Sequence, residues 1–287
     1  MVLAVLDLQQ TFRLRGPLKP LGNSRRRDRK VWLFAILALA GVITAFLLPP
    51  LRQLQSYHHF ADARTLAGIP NCLNVLSNVA FLAVGILGLG FLASPGQFLE
   101  PRERIPYALF FFGVTCTCYG SIYYHWRPSD TTLAWDRLPM TVAFMSLLAA
   151  VIAERISVAA GLRLLLPLLA LGAGTVWWWQ WTGNLWPYMT TQYLPILLIG
   201  LLMVGFPPRY TRSGDMLAVV GWYALAKVAE AMDARIYALG EWVSGHTIKH
   251  LIAAVAAYWV LRMLRRRSPL GSLARVASSP RPRIPLF

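Results

Sequence analysis

His246 and His250 stand four residues apart at the start of the last apolar run of the chain. On a helix that spacing puts both rings on one face, where they can share a metal ion. A third histidine, His125, ends an earlier apolar run in the stretch Gly120-Ser121-Ile122-Tyr123-Tyr124-His125. Three histidines make a zinc site with one position open for water. Zinc lowers the pKa of such a water to about 7 and polarises a carbonyl. Asp136, opening the next apolar run, can orient the water and take its proton. Ser121, one turn before His125, shares its helical face and can donate to a developing oxyanion. The pattern predicts Zn2+ on His125, His246 and His250, with Asp136 and Ser121 beside it. Plainer readings stay open for each piece. An HxxxH pair also arises from core packing. A serine inside a span commonly bonds back to its own helix. An acid at a helix start balances the dipole or a nearby arginine.

Other polar groups flank this set. Glu230 and Asp233 sit near the end of another apolar run and could support a ligating histidine; a Lys227–Glu230 pair one turn apart is an equal reading. Asn74, Ser77 and Asn78 are expected to hydrogen-bond between helices. His58 and His59 read as solvated loop residues. Cys116 and Cys118 form a C-x-C that matches no zinc-ligand spacing, so with Cys72 they read as small buried hydrophobes.

Ionisable groups inside or beside a bilayer are costly and therefore candidates for function. The bilayer itself is inferred from composition. Of 287 residues, 56% are hydrophobic and 14% charged, against roughly a quarter charged in soluble domains. The apolar residues fall in blocks of about 18–22, the length that crosses roughly 30 Å of hydrocarbon. Continuous runs without alternation exclude a transmembrane barrel. The reading is an all-α polytopic bundle with spans near 31–48, 72–93, 107–125, 136–153, 162–179, 191–206, 216–232 and 245–264. By regions, a basic tail (1–30) precedes an extra N-terminal span (31–49), a seven-helix core (70–264) and a second basic tail (265–287). The segment Trp177-Trp178-Trp179-Gln180-Trp181, with Trp186, reads as an interfacial belt.

The net charge of +16 lies largely in the two tails. Such tails flank spans on the cytoplasmic side and touch anionic lipid. No recognition motif accompanies the charge, so nucleic acid is not an expected partner. No cleavable signal peptide is expected, because the first apolar run ends in Pro49-Pro50 without a small-x-small site. With the N-terminus inside, both termini are cytoplasmic. His125 then lies at the outer end of its span, and Asp136, His246 and His250 at the outer starts of theirs. One-sided histidines disfavour a haem held across the bilayer, and groups away from the midplane disfavour a secondary transporter.

In order along the chain, Asn74-x-x-Ser77-Asn78, Gly120-Ser121-x-x-x-His125, Asp136-x-x-Pro139-Met140 and His246-x-x-x-His250 resemble the alkaline ceramidase (phytoceramidase) family, and its bacterial members most closely. That family belongs to a wider group of seven-span hydrolases that includes adiponectin-receptor-like proteins. The resemblance covers roughly residues 70–264. It implies a seven-helix bundle with zinc on His125, His246 and His250, and Ser121 and Asp136 beside the zinc-bound water. The chain departs from the family in its extra first span. Eukaryotic members also carry an acidic calcium-binding segment and a Glu where this chain has Asn71, so no calcium site is expected. The implied activity is intramembrane zinc-dependent hydrolysis of the N-acyl bond of ceramide or a similar lipid amide, in an integral protein of a bacterial inner membrane. The alternative is a receptor-like or structural bundle whose metal staples helices.

Overall fold

A computed structural model describes residues 21–270. The greater part of both expected basic tails, 1–20 and 271–287, lies outside the described residues. The chain divides into two units, Met1–Leu39 and Ala40–Phe287. The described part of the first unit is the front of helix α1 (Leu21–Leu47). Its Trp32, Leu33, Ile36 and Leu39 are exposed, an apolar surface suited to lipid.

The second unit is all helical apart from isolated bridges among the described residues. After a loop come α2 (Cys72–Leu76) and α3 (Val79–Ala93), then α4 (Arg104–Trp126), α5 (Asp130–Arg155), α6 (Val158–Thr182) and α7 (Trp186–Gly205). The last three are α8 (Asp215–Ala231), the short α9 (Asp233–Tyr237) and α10 (Gly245–Arg266). Among the described residues, seven stretches are long and apolar enough to cross a membrane: Arg26–Leu47, Cys72–Ala93, Pro101–Trp126, Asp130–Arg155, Val158–Thr182, Trp186–Gly205 and Gly245–Arg266. The chain is an integral, multi-pass helical protein. The eighth expected span is α8, with 17 residues; at 1.5 Å per residue that is about 25 Å, the short limit for a span.

Local chemistry explains where the helices start and break. The span expected from Asp136 begins six residues earlier, at Asp130. Ser129 and Thr132 form a reciprocal capping box there, Thr132 N donating to Ser129 Oγ at 3.2 Å and Ser129 N to Thr132 Oγ1 at 3.1 Å. Asp136 is thus nearly two turns inside its helix, and the reading as a terminal acid for the dipole lapses. The expected span 72–93 is broken at Ser77–Asn78. Both side chains donate to the Asn74 carbonyl, at 3.1 and 2.7 Å, and compete with the helical ladder.

Within this unit α4 packs most extensively on α5, α5 on α6, and α8 on α10; α3 lies against α4 and α10, and α7 against α5 and α6. The most buried span is α5. Consecutive helices α7 and α8 do not pack along their lengths. A cavity of about 470 Å³ lies inside the bundle.

Candidate metal centre

His125 is one residue from the end of α4, and His246 and His250 occupy the first two turns of α10. Their placement follows from caps and ties. Ser244 caps α10 by accepting from Thr247 N at 3.2 Å. Asp233 Oδ1 accepts from the backbone N–H of His246 at 2.7 Å. Asn74 Oδ1 accepts from Thr247 Oγ1 at 2.7 Å, which pins α10 to α2. Asn71 Nδ2 donates to the His125 carbonyl at 2.8 Å and ties down the end of α4. Two glycines permit close approach. A Cβ at Gly120 would fall on the Trp135 carbonyl, and one at Gly245 on the Ala229 carbonyl. Pro139 has no N–H to offer the Trp135 carbonyl four residues back, so α4 can crowd α5 there, beside Ser121 and Asp136.

The three rings converge. One ligand atom from each of His125, His246 and His250 lies within 4.8 Å of the others, and each pair of ring centroids is 4.9 Å apart. All three are buried. Neither ring nitrogen of His125 has a hydrogen-bond partner, although the residue is fully buried. A buried, unsatisfied polar atom costs about 1–3 kcal/mol, so a group that bonds it belongs there. Ser77 Oγ lies 2.8 Å from His250 Nδ1, which leaves Nε2 for a ligand; bonding of this kind fixes the ring of a metal-binding histidine. The group can hold a metal ion. Phe60 closes one side, its ring 4.6 Å from that of His125 and 4.8 Å from that of His246.

Ser121 is buried and Asp136 half-buried, and both line the cavity together with His250. The structure therefore gathers all five residues named from the sequence at one end of the bundle. From there the cavity runs toward the other end. Its wall passes from Ser121 back to Phe110 on α4 and from Asp136 on to Leu147 on α5, eleven residues in each case, or about 16 Å along a helix. That trunk is apolar, with Val114, Ile199, Val219 and Ala257 among its lining.

Several neighbours sit differently from expectation. His58 is not solvated: its side chain is 8% exposed and bridges Tyr124 Oη at 3.0 Å and Asp130 Oδ1 at 3.1 Å. His59 is exposed as expected. Glu230 pairs with Lys227, and also accepts from Lys249 at 2.8 Å and from Tyr57 Oη at 3.1 Å. It reaches His246 only through Lys249, whose Nζ is 3.2 Å from His246 Nε2. Asp233 meets the backbone of His246 and not its ring. Of the Asn74 motif, Asn74 does bond between helices, Asn78 stays within its own, and Ser77 serves a histidine ring. The three cysteines are free, Cys72 and Cys118 buried and Cys116 half-buried. Sequence reasoning missed Lys249, though a cation between two paired histidines is itself a signal. It also missed Ser77 as a histidine partner, which only the crossing of α2 and α10 reveals. No protein-family model matches this chain, and no curated protein matches it either.

Proposed function

We propose that the chain is an intramembrane zinc-dependent hydrolase that cleaves the N-acyl bond of ceramide or a similar lipid amide. One observation carries the reading. Three buried histidines, one with both ring nitrogens unpartnered, stand with Ser121 and Asp136 at one end of an apolar cavity. Three histidines fit zinc and keep a position open, as catalytic sites do. Zinc held there supplies a Lewis acid and lowers the pKa of a water. The chain's own residues do the rest. Asp136 accepts the proton of the attacking water and returns it to the leaving amine nitrogen. Ser121 donates to the oxygen that gains charge as the carbonyl is attacked. The apolar trunk takes the acyl chain, at about 0.8 kcal/mol for each methylene buried, and keeps bulk water from the amide. The products are a fatty acid and a free amine base. In this reading both termini face the cytoplasm of a bacterial inner membrane and the centre lies toward the outer side, which the basic residues at the chain ends support.

The test is purified protein assayed for metal and incubated with ceramides. About one zinc per chain and release of fatty acid are expected. Stoichiometric metal with no cleavage of any lipid amide would leave a helix-stapling site and overturn the enzyme reading.

A further inference from the structure

Arg137 follows Asp136 on α5, is 5% exposed, and lines the cavity. Its Nη2 donates to Gln53 Oε1 at 2.6 Å. Its Nη1 is buried with no hydrogen-bond partner. The guanidinium lies 4.1 Å from the Trp179 ring centroid and 4.6 Å from that of Tyr188. Ring faces attract a cation and hold its plane still, but they are not a counterion. Among the described residues no carboxylate pairs with it. The remaining charges do not redress this. Leaving aside the exposed Arg52, the cations Arg137, Lys227 and Lys249 line the cavity against only Asp136 and Glu230, and Glu230 is already shared by both lysines. A dication on the histidines would add to the surplus. Buried charges are ordinarily paired, so the polar end of this cavity lacks an anion.

We propose that Arg137 is the binding site for a carboxylate on the substrate head group, so that the lipid amides cleaved are N-acyl amino acids. This rests on the amidase reading above. An arginine edge matches a carboxylate or a phosphate. Nη1 is the guanidinium nitrogen buried without a partner, beside a cavity whose wall is mostly apolar. One carboxylate satisfies that edge, whereas a phosphate would bring three acceptor oxygens into it. That Asp136 and Arg137 line one cavity fits the same class, because in an N-acyl α-amino acid one carbon separates the carboxylate from the amide nitrogen. Hydrolysis then breaks the amide C–N bond, forms a C–O bond from water, and leaves the proton on the amine, giving a fatty acid and an amino acid.

The experiment compares N-palmitoylglycine, its neutral glycinamide and N-palmitoyl-O-phosphoethanolamine on zinc-loaded protein in detergent, by kcat/KM and by equilibrium binding. The acid should exceed the glycinamide by about 10–100-fold, the worth of a hydrogen bond to a charged group. In Arg137→Gln the ratio should collapse toward one, and Arg137→Lys should restore part of it. The comparison on the unmodified protein needs no variant to fold. Equal use of acid and glycinamide, a preference that survives Arg137→Gln, or a preference for the phosphate overturns the proposal. Selective binding of the acid without cleavage of any substrate supports the carboxylate site and overturns the amidase reading instead.

Discussion

Two buried arginines stand at opposite ends of the helical core. Arg267, just past α10, is 2% exposed in its side chain. It lies against Tyr210, Phe98 and Tyr107, with the nearest ring centroid at 4.0 Å. Arg137 lies against Trp179 and Tyr188 at much the same distances. Each therefore sits in an aromatic cage. Both keep buried nitrogens without a hydrogen-bond partner, Nη1 in Arg137 and Nε and Nη2 in Arg267; they differ in whether a carboxylate completes the cage. Arg267 pairs with Glu154, which also accepts from Tyr107 Oη at 2.8 Å. Nearby, Arg209 pairs with Glu103 at 3.2 Å and Tyr210 Oη donates to Glu103 at 2.7 Å. That end pairs two of its cations with carboxylates, while a third, the buried Arg155, donates its Nη1 to the Phe206 carbonyl at 2.8 Å. The Arg137 end keeps a surplus of cations, a cavity, and a histidine with two idle nitrogens. About 25 Å separates the two ends along α5, from Arg137 to Glu154. The same side chain is a fastener where the protein supplies its partner. It is a candidate binding group where the partner must come from outside.

The comparison breaks first at the histidines. Each of His125→Ala, His246→Ala and His250→Ala should empty the metal site while the Arg267 end keeps the bundle folded. Metal analysis should show most of the zinc lost, and lipid-amide turnover should fall by more than about 10³-fold, since a metal contributes several kcal/mol to the transition state. Full zinc content in all three variants would reject this ligand set. Next come the groups assigned to chemistry. Asp136→Asn should lower turnover by about 10²–10⁴-fold and Ser121→Ala by about 10²–10³-fold, both with zinc retained. An Asp136→Asn protein without metal would make Asp136 a ligand and close the open position.

The other end should respond in stability and not in chemistry. Glu154→Ala strands Arg267 in its cage. Breaking a buried pair from one side costs about 3–5 kcal/mol, visible as a lower thermal midpoint in detergent. Zinc per folded chain should not change. A variant that lost zinc but not stability would erase the distinction between the ends. A smaller effect is expected from Ser77→Ala, which frees the His250 ring. Losing such a support typically weakens metal binding about 10–100-fold, measurable by competition with a chelator.

How much of this was legible in the sequence follows the range of the forces involved. Apolar runs and the four-residue spacing of His246 and His250 are local, so the spans and the histidine pair could be read directly. The convergence of His125 and Asp136 on them came from the alternation of span direction, again a property of order alone. The start of α5 at Asp130 was also written locally, in Ser129 and Thr132, but the polar residues there resembled a loop. What stayed hidden depends on side chains from distant segments meeting. Ser77 reaches His250 across 173 positions, and His58 is buried by Tyr124 and Asp130. Arg267 looked like part of a basic tail because nothing near it in the chain announces Glu154. Arg137 had no signal in the sequence, since its unpartnered nitrogen is a fact about what fails to reach it.

Asp62 offers the finest test, because it separates position from pairing. It lies at the metal end, in the loop that carries Phe60, yet it is fastened as Arg267 is. Asp62 is 2% exposed, and Arg64 Nε and Nη2 each donate to it at 2.8 Å, one to each carboxylate oxygen. Arg64 Nη2 also reaches the Trp242 carbonyl at 2.9 Å, and the Asp62 carbonyl accepts from Asn74. The Arg64 hydrogen bonds hold the Asp62 carboxyl below the usual carboxylate range, against burial, which pushes it up. The sign follows from linkage. A carboxylate whose folded value is depressed adds stability that is fully present above its unfolded value, about 3.9. That stability is lost as pH falls through the lower, folded value. Metal-free protein should therefore lose stability on acidification below about pH 4, and Asp62→Asn should flatten that limb of the curve. Metal must be absent so that its release from the histidines does not contribute. Because Arg64 is partly exposed and screened by solvent, the shift should be smaller than that of Glu154→Ala. If Asp62→Asn instead removed zinc with no change in acid stability, the loop would belong to the metal centre. Pairing would then no longer be what divides fastener from site.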